Sequence, residues 1–107
     1  MKTVLGIDPG LASTGYGLIR FEGSCFRHIA HGTIRTGPQE GIGQRLLAIR
    51  KAILDILDSF SPAQAAVETV YFSRNSASAI PVAQARGVIL CALAERGIPF
   101  REYTPQE

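Results

Sequence analysis

Two acidic residues each close a short apolar run: Asp8 ends Thr3-Val4-Leu5-Gly6-Ile7-Asp8, and Glu68 ends Ala63-Gln64-Ala65-Ala66-Val67-Glu68. Runs of this length fit single buried strands. After Asp8 the strand must stop, because Pro9 has no N–H to donate and Gly10 tolerates positive φ. The carboxyl edge of an open α/β sheet is where ligands bind. If the two runs pair side by side, two carboxylates meet at that edge. Like charges at close range oppose joint ionisation, and a divalent cation removes the conflict. Oxygen-only donors suit Mg²⁺, with Mn²⁺ as a substitute. A metal pair bridged by carboxylates can orient water toward phosphorus and stabilise the leaving oxygen, which is phosphodiester hydrolysis. The residues leave a second reading open, with Asp8 in an ordinary Asp-Pro-Gly turn and Glu68 solvated at a strand end. Two acids are also too few for two ions. Downstream, only Glu95, Glu102 and Glu107 remain, and neither Glu95 on its helix nor Glu102 on an edge strand is a convincing ligand.

Beside Glu68 lies Thr69-Val70-Tyr71-Phe72-Ser73-Arg74-Asn75-Ser76, aromatic, then basic, then polar. An aromatic ring can stack on or wedge between bases, Arg74 can meet phosphate, and Asn75 can hydrogen-bond backbone or base. Tyr71 is the better wedge, while Phe72 also suits the core beneath the loop. His28 and His31 are three apart on a presumed strand, so they are expected on opposite faces as surface residues, poorly placed to share a metal. Arg20, Arg27 and Arg35 form a diffuse basic surface on the hairpin strands, open to DNA or simply solvated.

These residues need a frame to hold them. Ser13–Phe21 and Cys25–Arg35 read as strands joined at Glu22-Gly23-Ser24, giving an antiparallel unit with the first strand on its inner edge. Beyond Gly37-Pro38, Ile42, Leu46, Ile49, Ile53, Ile56 and Phe60 recur at helical steps, widened by Leu47, Leu54 and Leu57, and Ser61-Pro62 ends the helix. A strand reached through that helix pairs parallel to the first by a right-handed crossover. A second helix is expected over residues 80–96, started near Pro81 and capped by Gly97, with Ile80, Ala83, Val88, Cys91, Ala92 and Ala94 for packing. Residues 98–103 make a last edge strand because of Pro99. The order β-β-β-α-β-α-β in one mixed five-stranded sheet is a ribonuclease-H-like α/β arrangement.

The 107 residues allow one domain, spanning 1–107. A hydrophobic fraction of 46%, a charged fraction of 19% and a net charge of +2 describe an ordinary globular chain that permits a nucleic-acid partner without demanding one. Cys25 and Cys91 are isolated, as in a reducing compartment. No secretory signal or run of ~20 apolar residues occurs, so a cytoplasmic protein is expected. Thr104-Pro105-Gln106-Glu107 reads as the opening of a helix without its body, so the expectation is a fragment.

Taken together, Leu5-Gly6-Ile7-Asp8-Pro9-Gly10 with Thr14-Gly15-Tyr16-Gly17, Val67-Glu68-Thr69-Val70-Tyr71-Phe72 with Arg74-Asn75, Gln84-Ala85-Arg86-Gly87, and Tyr103-Thr104-Pro105 closely resemble the RuvC family of bacterial Holliday-junction resolvases. The resemblance spans all 107 residues. It implies a ribonuclease-H-like fold, a homodimer, and Mg²⁺-dependent nicking of two like-polarity strands at a four-way junction in recombination and repair. It implies two ions per subunit in the complete site, and the branch-migration proteins RuvA and RuvB as partners. Asp8 and Glu68 match two of the family's four catalytic acids. Tyr71, Phe72, Arg74 and Asn75 match its DNA-facing loop. Gly10 and Gly15 match its first turn, and Gln84, Arg86 and Gly87 its helix signature, Gly87 allowing close approach. The remaining acids belong to a final helix absent here, so this chain alone is expected to be inactive or nearly so. Two other enzymatic or binding readings use similar elements: a ribonuclease-H-like RNA-processing nuclease, and a nucleotide-binding domain of the actin/sugar-kinase type, although no second Gly-rich phosphate loop is evident. A non-catalytic junction-binding module is the third.

Overall fold

In the computed structural model, which describes residues 2–69 and 76–104, five strands form one sheet in the order β3-β2-β1-β4-β5. The strands are β1 (Lys2–Asp8), β2 (Ser13–Glu22), β3 (Cys25–Arg35), β4 (Gln64–Glu68) and β5 (Phe100–Tyr103), with helices α1 (Ile42–Phe60) and α2 (Ser76–Glu95). β1 pairs antiparallel with β2 and parallel with β4, so the first strand lies at the sheet's centre. This is the ribonuclease-H-like arrangement that the element order predicts.

Alternation along the strands sorts the two sheet faces. Leu5 and Ile7 of β1, Leu18 of β2, and Ala65 and Val67 of β4 are buried against Ile49, Ile53, Leu54, Ile56 and Leu57 of α1 and Ala85, Ile89, Ala92 and Leu93 of α2. Both helices therefore cover one face. The other face carries Val4, Gly6, Asp8, Gly15, Gly17, Ala66 and Glu68, and no described helix covers it.

α1 matches its expected bounds. It ends where Ser61 turns left-handed (φ 47°) and donates its N–H to the Leu57 carbonyl oxygen, before Pro62. Its flanking apolar residues Ile42, Leu47 and Phe60 are exposed instead of buried. α2 departs further. It begins at Ser76, four residues before the expected start, and keeps Pro81 inside as its sixth residue. Proline's fixed φ is already helical, so the cost is one missing N–H bond and local crowding. The packing face differs in part: Ala92 is buried and Val88 packs against the core as expected, but Ile80 is 64% exposed and Ala83, Cys91 and Ala94 face outward, while Ala85, Ile89 and Leu93 join the core. β5 is shorter than expected because Ile98 and Pro99 have other work. Ile98 N–H closes the α2 cap on Leu93 O (2.9 Å), and Pro99 O accepts from Ala65 N–H (2.9 Å).

The β2–β3 ladder also differs from simple alternation. Leu18 pairs with Ala30 and Ile19 with His28, leaving Ile29 as an extra residue, a β-bulge. The bulge reverses the phase, so His28 and His31 lie on the same open face, where alternation alone predicts opposite ones. Arg20 and Arg27 are cross-strand partners, and Arg35 pairs at the far end of the hairpin.

Candidate metal centre

The parallel register sets the site. Leu5 pairs with Ala65 and Ile7 with Val67, so Asp8 and Glu68 follow one step later at the carboxyl ends of adjacent strands. On the other side of β4, Glu68 pairs with Tyr103. Asp8, Glu68 and Tyr103 therefore end three neighbouring parallel strands on the open face. The carboxylates' fields reach the phenol: burial pushes the Tyr103 pKa above its ordinary value of 10.0, and the negative charges of Glu68 and then Asp8 push it further.

The floor beneath these groups is backbone. Gly15 stands opposite Asp8, and the position a Gly15 Cβ would take lies 3.9 Å from the Asp8 Cβ. Gly6 pairs with Gly17 and, on the other side, with Ala66. Small residues at these positions leave the carboxylates unshielded by neighbouring side chains, which explains Gly15 beside the acid.

The turn after Asp8 is braced from two directions. Thr14 is fully buried; its hydroxyl donates to Gly10 O (2.6 Å) and accepts from Gly10 N–H (3.2 Å). Thr36 Oγ1 donates to Leu11 O (2.7 Å) and accepts from Arg45 Nε (2.8 Å). Gly10 is not in a left-handed conformation, the reason its position suggests in sequence. Glycine is needed there because a Cβ would overlap the Ser13 carbonyl oxygen. Thr14 and Thr36 carry this bracing, and hydroxyls in a strand and a loop give no sequence signal of it.

Behind the site, Arg86 ties α2 to the strand ends. Its Nη2 donates to Thr69 Oγ1 (3.1 Å), next to Glu68, and pairs with Glu102. Its buried Nε has no hydrogen-bond partner among the described residues. Glu102 pairs with Val67 in register, on the helix-covered face, away from Asp8 and Glu68. Glu95 pairs with Arg50 at 2.7 Å. Both acids are thus engaged elsewhere. Gln84 is exposed, and among the described residues nothing lies within 4 Å of where a Gly87 Cβ would sit, so Gly87 makes no close approach to any of them. Tyr71, Phe72, Arg74 and Asn75 lie outside the described residues.

A hard divalent cation fits this donor set. Asp8 and Glu68 offer only carboxylate oxygens, and among the described residues neither has an ion-pair partner. The described residues hold no cluster of three or more His, Cys, Asp or Glu able to bind a metal, so the pair alone would be a partial ligand set.

The sequence model of the RuvC family, described as crossover junction endodeoxyribonuclease RuvC, matches residues 4–107. The chain is 42% identical over 104 residues to the crossover junction endodeoxyribonuclease RuvC of Pseudothermotoga lettingae, covering 97% of this chain and 64% of that protein. Against the protein of the same name from Syntrophomonas wolfei it is 49% identical over 102 residues, covering 95% of this chain and 59% of the relative. Its fold is similar to that of T. thermophilus RuvC in complex with a Holliday junction substrate, with a TM-score of 0.90 and 32% identity over 99% of this chain and 66% of that one. The chain thus spans about three-fifths of the length of its curated relatives.

Proposed function

This chain belongs to the RuvC family, and from that premise we propose that it is the part of a Holliday-junction resolvase that holds the first half of a metal-dependent nuclease site. Asp8 and Glu68 would hold Mg²⁺ through their carboxylate oxygens, and a cation held there would supply an activated water and charge stabilisation for phosphodiester hydrolysis. The chain's own contribution is geometric: parallel register aligns the two carboxylates, and the glycine floor gives a phosphodiester access to them. Tyr103 keeps its proton beside them and offers an O–H donor. Tyr71, Phe72, Arg74 and Asn75, directly after β4, contact the junction.

The observation that carries the reading is the convergence, at the ends of adjacent parallel strands, of two carboxylates that have no ion-pair partner among the described residues, on a sheet face that no described helix covers. Two such ligands leave a second ion without support, so cleavage requires further acids beyond this pair. The same reading calls for two copies acting on two strands. α2 supports that arrangement: it is apolar on both sides, and its outward stripe of Ile80, Ala83, Gly87, Cys91 and Ala94 is unpartnered among the described residues. A helix apolar all round belongs in a buried setting.

The test is Mn²⁺ titration followed by electron paramagnetic resonance, alongside gel-shift of four-way junction, duplex DNA and structured RNA at one fixed salt concentration. Asp8→Asn and Glu68→Gln each abolish tight Mn²⁺ binding, while junction remains the preferred nucleic acid. Equal affinity for all three, or Mn²⁺ binding indifferent to both substitutions, would refute the proposal. Efficient Mg²⁺-dependent junction cleavage by this chain alone would overturn the half-site reading.

A further inference from the structure

We propose that His28 and His31 form a second cation site, a two-imidazole chelate for a borderline divalent transition cation such as Ni²⁺, Cu²⁺ or Zn²⁺. The site is created by the β-bulge at Ile29, which brings two histidines three residues apart onto one face. Their ring centroids are 4.9 Å apart, and His28 Nε2 and His31 Nδ1 share a hydrogen bond at 2.8 Å. Metal–imidazole bonds of about 2.0–2.1 Å, set between a right and a tetrahedral angle, hold two nitrogens roughly 2.9–3.4 Å apart. The two nitrogens therefore already stand within a few tenths of an ångström of a chelating separation. Both side chains are exposed, so small rotations can aim both lone pairs at one cation.

The surroundings suit a metal. Opposite His31 is Gly17, and opposite His28 is Ile19. Along β3, the neighbours on this face are Phe26 and Thr33. None of these carries a charge, so none of them competes with a cation for the position, and Gly17 leaves room for water to complete the coordination shell. Binding needs both rings neutral, with the remaining protons on His28 Nδ1 and His31 Nε2. A neutral pair meets this by tautomer exchange alone, without net proton loss.

The two sites differ in kind. Asp8 and Glu68 offer hard oxygens suited to Mg²⁺, whereas the imidazoles favour later first-row ions in the order Ni²⁺ below Cu²⁺. They also stand on different strands, β3 against β1 and β4, with β2 between them.

The experiment is calorimetric titration of Ni²⁺ into the chain carrying Asp8→Asn and Glu68→Gln, with excess Mg²⁺ present, and Cu²⁺ electron paramagnetic resonance on the same protein. One Ni²⁺ binds per chain, and the Cu²⁺ spectrum shows nitrogen couplings. His28→Gln or His31→Gln weakens binding by at least about tenfold, the lower bound seen even for outer partners of metal ligands. The metal-free melting temperature is unchanged, because both side chains are at the surface. Absence of Ni²⁺ binding, affinity that survives both histidine substitutions, or displacement by Mg²⁺ would each overturn the proposal.

Discussion

At the scale of single residues, the Asp8–Glu68 charge is felt by Tyr103, and that coupling has a consequence in pH. The folded-state pKa of Tyr103 is raised by burial, then by Glu68 and Asp8. The folded chain thus keeps a proton that the unfolded chain releases. The stabilisation linked to this proton is fully present below pH 10 and is lost as pH rises through the folded pKa. Denaturant unfolding should therefore show stability falling more steeply above pH 10 in the parent chain than in Tyr103→Phe. If the two acids hold a divalent cation as proposed, the cation offsets their part of the shift and leaves the burial part. Ultraviolet difference titration, with Tyr103→Phe subtracted, should then show the phenol ionising at lower pH when Ca²⁺, which stays in solution where Mg²⁺ precipitates as hydroxide, saturates the two acids. An unmoved midpoint counts against Asp8 and Glu68 as ligands. The two acids themselves are legible in sequence because each ends an apolar run. Tyr103 as their neighbour is not, since that depends on which residue of β5 meets Glu68. The His28–His31 contact is hidden for a similar reason: one extra residue at Ile29 inverts the alternation that sequence reading relies on.

At the scale of elements, the last turn of α2 gives a direct test of its boundary. Gly97 adopts φ 68°, its N–H meets Ala94 O (3.0 Å), and Ile98 N–H meets Leu93 O (2.9 Å). These bonds form a Schellman cap, which also aims the chain into β5 beside the acidic site. A Cβ at this left-handed position costs about 1–2 kcal/mol, so Gly97→Ala should lower unfolding free energy by that amount in urea titration. Space is not the issue, as nothing lies within 4 Å of the added atom. The cap is readable from sequence, as are α1 and the strands, because glycine punctuation and a one-sided apolar stripe are local signals. The phase of α2 is not. With apolar residues on both sides, its period does not say whether Ala85 and Ile89 or Ile80 and Cys91 face the core, and only packing against α1 and β4 decides. Pro81 misleads in the same way, since a helix can carry one unmade bond where neighbouring turns hold it.

At the scale of the whole molecule, the outward stripe of α2 is the face on which the proposed dimer would form. Gly87 lies at its centre, with Ile80, Ala83, Cys91 and Ala94 along the same side. Small residues there allow two helices to approach closely, and among the described residues Gly87 has no packing reason to be glycine. In an isolated chain, replacing it with a helix former should therefore stabilise α2 by about 0.5–1 kcal/mol. A large charged side chain at the same place would block a helix–helix contact. Gly87→Lys accordingly separates the two roles: by analytical ultracentrifugation it should convert a dimer to a monomer, while circular dichroism shows α2 intact. Gly87→Ala should keep the dimer. If the parent chain is dimeric and Gly87→Lys leaves it so, the contact lies elsewhere. A parent chain that sediments as a monomer at every concentration would remove α2 as the dimer face of this chain.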